Sequence, residues 1–172
     1  MRLFIAINFP PGALSYLQDQ QRRLEEVALE GRFVAPDKLH LTLAFLGEVS
    51  MADSAHLSTL LREVEGEPFE LKLQGLGSFR RGRSALWWVG IEDSPPLLEY
   101  RERLCNRLLD EGYDFDQRPF RPHVTIARQV VVDEDNTPIS PSKGYITGVN
   151  RISLMESDYR TYREVYAKEL IK

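Results

Sequence analysis

The stretch Lys38-Leu39-His40-Leu41-Thr42-Leu43-Ala44-Phe45-Leu46-Gly47 has a shorter echo in Arg121-Pro122-His123-Val124-Thr125-Ile126-Ala127-Arg128. Both read His-apolar-Thr-apolar-Ala inside an apolar run of strand length. Side chains two apart on a strand share a face, and their neighbours take the other. His40 and Thr42 therefore stand together, with Leu39, Leu41 and Leu43 turned toward a core. His123 and Thr125 do the same, with Val124 and Ile126 behind them. Two such strands facing each other form a symmetric site of two imidazoles and two hydroxyls. The chain has only three histidines and six threonines, so the repetition is not an effect of composition. The third histidine, His56, lies in a segment over 53–63 that reads as helix, where residues two apart diverge. It receives no role.

At 172 residues the chain is long enough for one generous domain or two small lobes sharing a core. A 42% hydrophobic, 28% charged composition is that of a globular protein, and no apolar run approaches the ~20 residues of a membrane span. Met1 to Phe9 reads as a first strand rather than a signal peptide. The single cysteine, Cys105, falls on an apolar helical stripe, reads as an inert core thiol and fits a reducing cytoplasm. A net charge of −4 argues against a basic face coating long nucleic acid. Arginine nonetheless outnumbers lysine 17 to 5, with clusters at Arg80, Arg81 and Arg83 and at Arg118, Arg121 and Arg128. Planar guanidinium forks pair bidentately with phosphate, so these clusters permit a local anion site; solvated loop charge is the competing reading.

Periodicity gives a strand over 2–8, then a helix from Pro10-Pro11 that carries Leu14, Leu17, Leu24, Val27 and Ala28 to Gly31. A short strand at Phe33-Val34 and a turn at Pro36 precede the first histidine strand. A helix over about 52–65 follows Ser50 as N-cap. Phe69 to Gln74 alternates as a half-buried strand, Arg80-Arg81-Gly82-Arg83 turns, and Ala85 to Ile91 returns with Trp87 and Trp88. Ser94-Pro95-Pro96 starts a helix that ends at Gly112. After the second histidine strand, Val132 to Gly144 reads as a mobile surface loop, and Tyr145 to Met155 and Arg163 to Ile171 as closing strands. This order is no run of parallel βαβ units, so the class is α+β with largely antiparallel sheet.

Two histidines suit a reaction in which one takes a proton while the other gives one. Attack of water on a phosphodiester needs that pair, and threonine hydroxyls donate to the non-bridging oxygens whose charge grows in the transition state. A cyclic phosphate adds ring strain. Only two histidines converge, no acidic residue recurs at fixed spacing and no cysteines cluster, so no metal ligand set emerges. No Gly-x-Ser-x-Gly nucleophile motif or glycine-rich phosphate loop is present. By parity Arg121 shares the face of His123, while Arg128 falls off it unless the strand ends or bulges first. Phe9, Phe45, Trp87, Trp88 and Phe120 are candidates for stacking on a base, each with core packing as its competing reading.

The pair His40-Leu41-Thr42-Leu43 and His123-Val124-Thr125-Ile126 resembles the two signature tetrapeptides of the two-histidine phosphoesterase superfamily. Within it, the chain is similar to the bacterial and archaeal RNA 2′,3′-cyclic phosphodiesterases, also called 2′-5′ RNA ligases. The likeness extends to Arg2 to Ile7, Leu39 to Gly47, Gly75 to Phe79, Arg118 to His123 and Leu154 to Ser157. It implies a single bilobal domain over 1–172, with two mainly antiparallel sheets and outer helices around a central cleft. The two His-x-Thr strands would be related by a pseudo-two-fold. It also implies metal-independent and cofactor-free hydrolysis of a 2′,3′-cyclic phosphate to the 2′-phosphomonoester. By position, His40 would be the proton donor and His123 the proton acceptor, with Thr42 and Thr125 holding the phosphate and Arg128 as the family's trailing arginine. The partners expected are RNA 2′,3′-cyclic phosphate ends or small cyclic nucleotides, met by a cytoplasmic monomer without membrane contact. Reversible 2′-5′ ligation is a further implied activity. A non-catalytic module that binds such RNA ends is the alternative.

Overall fold

A computed structural model of the protein describes residues 1–133, 139 and 142–172. The elements are β1 (Arg2–Asn8), α1 (Pro11–Glu25), β2 (Ala28–Phe33), a 3₁₀ turn (Pro36–Lys38), β3 (His40–Glu48), α2 (Met51–Glu63), β4 (Phe69–Arg81), β5 (Ser84–Ile91), α3 (Pro95–Asp110), β6 (His123–Val132), β7 (Tyr145–Val149), β8 (Arg151–Ser157) and β9 (Tyr162–Glu169). They form two antiparallel sheets, ordered β3-β1-β8-β9 and β2-β6-β5-β4-β7. Helix α1 packs on the five-stranded sheet, and α2 packs on β9 and α3. The class is α+β, as the element order implies. No helix among the described residues is long and apolar enough to cross a membrane.

Three boundaries differ from the periodicity. Helix α1 stops at Glu25 instead of running to Gly31, because Ala28 to Phe33 pairs with β6 at the sheet edge and that pairing overrides the helical spacing. The run Tyr145 to Met155 is two strands: β7 belongs to the five-stranded sheet, β8 to the other, and Asn150 lies at the crossing, its carbonyl accepting from Leu170 N at 2.8 Å. Arg80 and Arg81 belong to β4, leaving a tight turn of Gly82 and Arg83 in which Gly82 has φ +61°. Most of the stretch from Val132 to Gly144, read as a loop, lies outside the described residues.

One apolar core joins the two sheets. Leu41 and Leu43 of β3 and Val124 and Ile126 of β6 enter it with the inner faces of all three helices. The histidine faces of both strands point away from it, and β3 and β6 lie against each other. Each strand then makes the same irregularity. In β3 the register steps from Ala6↔Thr42 to Ile5↔Ala44; in β6 it steps from Trp88↔Thr125 to Trp87↔Ala127. One extra residue is accommodated, so Leu43 and Ala44 are both buried, and so are Ile126 and Ala127. Alternation restarts one residue late. Arg128, off the histidine face by simple parity, is thereby turned onto it, and its counterpart in β3 is Phe45.

Gly77 of β4 pairs with Trp88 of β5, and a Cβ there would fall 2.1 Å from the indole. The ring thus lies across bare backbone, a position closed to any side chain. Gly77→Ala is expected to displace Trp88 and cost about 1–3 kcal/mol, the usual penalty for forcing extra volume into a packed place. Denaturant unfolding and near-ultraviolet circular dichroism read both effects; an unchanged midpoint and spectrum would show that the indole is not seated there.

Candidate active site

The bulged strands bring five of the six singled-out residues to one cleft of about 420 Å3: His40 and Thr42 from β3, and His123, Thr125 and Arg128 from β6. His40 Nδ1 lies 2.7 Å from the Lys38 carbonyl, and His123 Nδ1 lies 2.6 Å from the Arg121 carbonyl. A carbonyl only accepts, so each Nδ1 carries the hydrogen and each neutral ring keeps its lone pair on Nε2. On His40 that lone pair receives the Thr42 hydroxyl at 2.8 Å. The sixth residue, Arg121, is exposed and does not line the cleft; it acts on His123 through its main chain. Arg118 pairs with Asp116, whose carboxyl it holds down at a pKa of about 2. His56, given no role, bonds to Tyr113 on the surface of α2.

Aromatic rings wall each imidazole. Phe4 and Tyr162 stand 4.9 and 5.4 Å from His40 between centroids, and Phe79 and Trp88 stand 5.5 and 6.2 Å from His123. Of the aromatics singled out from the sequence, only Trp88 is in this group. Phe9 and Trp87 pack in or against the core, Phe120 lies under the Arg101 guanidinium, and Phe45 is exposed beneath Arg2. Phe4, Phe79 and Tyr162 are not marked by the sequence pattern. In Leu3-Phe4-Ile5-Ala6-Ile7 both faces of the strand are apolar, so no alternation marked Phe4. Arg32 and Lys38 also line the cleft. Lys38 shares the spacing of His40 and could have been read from it, whereas Arg32 enters only because β2 pairs with β6 and sets it opposite Arg128.

Burial pushes the His40 imidazole below its ordinary pKa, and the positive charge of Arg128 acts the same way against the support of the Lys38 carbonyl. At neutral pH the free protein therefore holds His40 neutral. Above the ordinary value of 6.5 the group is neutral in folded and unfolded chains alike. As pH falls through that value the unfolded chain takes the proton first, so stability is lost down to the lower folded pKa. Unfolding free energy should thus drop between pH 7.5 and 5.5, and His40→Asn should flatten the drop. Equal pH slopes for the two proteins in denaturant titrations would exclude a depressed His40. An anion in the cleft should reverse the shift: an NMR titration of His40 with and without a nucleoside 2′-phosphate should show its pKa rise on binding.

Comparison with known proteins identifies relatives of this chain in sequence and in fold. Residues 16–138 match the sequence profile of the 2′-5′ RNA ligase superfamily. The RNA 2′,3′-cyclic phosphodiesterase of Escherichia coli K12 is 32% identical over 169 residues, covering 96% of this chain and 92% of that one. The RNA 2′,3′-cyclic phosphodiesterase of Thermotoga maritima is 34% identical over 131 residues, 74% of this chain and 70% of its own. The crystal structure of E. coli LigT complexed with 3′-AMP superposes with a TM-score of 0.82 at 30% identity, covering 99% and 98% of the two chains. With the profile match spanning most of its length and the fold shared almost end to end, the chain belongs to the 2′-5′ RNA ligase superfamily.

Proposed function

We propose that the chain works as one two-lobed domain that hydrolyses RNA or nucleoside 2′,3′-cyclic phosphates to 2′-phosphomonoesters by acid–base catalysis between His40 and His123. The activity named for its relatives supports the reaction. The observation that carries the mechanism is the pair of imidazoles on one cleft, each held by its Nδ1 hydrogen on a main-chain carbonyl. His123 Nε2 takes a proton from water as its oxygen forms the new bond to phosphorus. His40 Nε2 gives a proton to the 3′-oxygen as the P–O3′ bond breaks. The pair then holds the proton on the opposite ring and resets by exchange with solvent. His40, neutral in the free protein, acquires its proton as the anionic phosphate enters. Thr42 and Thr125 donate to the non-bridging oxygens, Thr42 exchanging its bond to His40 for one to substrate. A 5′-hydroxyl taking the place of water would give a 2′-5′ linkage by the same proton transfers, which is ligation.

Incubation with a nucleoside 2′,3′-cyclic phosphate and separation of the products is the direct test. The 2′-monophosphate should accumulate, and extensive chelation should leave the rate unchanged, since the steps draw only on imidazoles and hydroxyls. His40→Ala and His123→Ala should each lower kcat/KM by about 10²–10⁴-fold. The double variant should lose far less than the product of those factors, since neither half of the pair works well alone. Thr42→Ala and Thr125→Ala should keep a bell-shaped pH profile at reduced height, by about 1.5–3 kcal/mol each. A folded single-histidine variant with near-wild-type turnover would sink the mechanism. Wild-type protein that binds the cyclic phosphate but never opens it would make the chain an RNA-end binding module.

A further inference from the structure

Beside the cleft lies a second hollow of about 440 Å3, lined by Glu30, Arg32, Arg83, Ser84 and Gln129. Arg32 lines both cavities and is the residue they share. Its other wall is the β4–β5 turn, which puts Arg83 across from the edge strand β2. Arg32 and Arg128 are direct cross-strand partners, an arrangement in which like charges repel and destabilise the pairing. Among the described residues, the side chains of Arg32 and Arg83 make no ion pair or hydrogen bond. Among the described residues Glu30 is the carboxylate that lines the hollow, set against the guanidinium groups of Arg32 and Arg83. Gln129, with φ +54°, takes a left-handed conformation unusual for a residue with a side chain. It directly follows Arg128, so this irregularity places consecutive residues on the two cavities.

Resting on the reading that the cleft holds a cyclic-phosphate end, we propose that this hollow is an anion subsite for the RNA backbone. It takes the phosphodiester on the 5′ side of the terminal nucleotide, held by Arg32 and Arg83. A chain whose last phosphate sits between the histidines must leave the cleft through the 5′-oxygen of its terminal ribose, and its next group is a singly charged phosphate. The hollow offers unpaired guanidinium donors one step from the cleft, the donor type suited to that group. A mononucleotide without a 5′-phosphate leaves the subsite empty, so the subsite distinguishes RNA ends from free cyclic nucleosides.

The test compares three substrates: a nucleoside 2′,3′-cyclic phosphate, a trinucleotide ending in one, and the same trinucleotide with an uncharged methylphosphonate before its last nucleotide. Wild-type protein should turn over the charged trinucleotide with kcat/KM about tenfold above the uncharged one, the equivalent of about 1.4 kcal/mol. Arg83→Ala, at a residue outside the catalytic cleft, should shrink that ratio to about threefold or less while leaving the mononucleotide rate unchanged, the loss expected for one charge-assisted contact of two. Charged and uncharged linkages treated alike by wild-type protein, or an equal loss on all three substrates in Arg83→Ala, would overturn the subsite. If none of the three is opened, the catalytic reading fails and the subsite is read by fluorescence anisotropy of labelled trinucleotides. The same ratio in affinity, lost in Arg83→Ala, then supports it, and equal affinities overturn it.

Discussion

The site depends on one interaction made twice: an imidazole Nδ1 hydrogen given to the carbonyl two residues earlier in the chain. It fixes the tautomer, stops the ring from flipping and leaves Nε2 as the one nitrogen able to move a proton. Different local devices supply the carbonyl. Before His40 it is the last residue of a 3₁₀ turn begun by Pro36; before His123 it is Arg121, in a position where the following Pro122 disfavours helical backbone. A repeated function on an unrepeated backbone is easiest to understand if the constraint lies in the imidazole, with each lobe meeting it by what its loop allows.

Charge in the cleft runs against the charge of the whole. The chain is net negative, yet Arg32, Lys38 and Arg128 line the cavity that holds both histidines. Burial, helped by the Arg128 charge, leaves His40 neutral in the free protein. An anion entering the cleft would offset that disfavoured protonation, so proton uptake would be coupled to its arrival.

Much of this was legible in the residues themselves. Strand parity put His40 with Thr42 and His123 with Thr125, and the apolar partners behind them are buried as that parity requires. Parity failed at Arg128, because an alanine after the motif accepts burial on either side and nothing local announces that the strand will bulge there. It failed again at Asn150, where two runs of equal β character belong to different sheets. The helical spacing runs past the end of α1 for a related reason: Ala28 and Leu29 are good helix formers, and only pairing with β6, distant in sequence, draws them away. Arg32 was invisible for the same cause. What one strand says of itself can be read, but what a neighbouring strand imposes cannot.

The placement of β1 has a consequence for how the molecule comes into being. It lies between β3 and β8, so Ile5 is opposite both Ala44 and Leu154, residues far apart in the chain. During synthesis β1 can pair with β3 early, but the other edge of β1 stays open until β8 has been made. The sheet that supports His40 is thus completed by one of the last strands to emerge, and its ladder closes a loop of almost the whole chain, which slows folding. Until then Phe4, later a wall of the cleft, has no Met155 or Tyr162 to pack against. A chain interrupted before β8 carries both histidines without the sheet that sets the first of them, so an unfinished copy has the residues of the site and not the site.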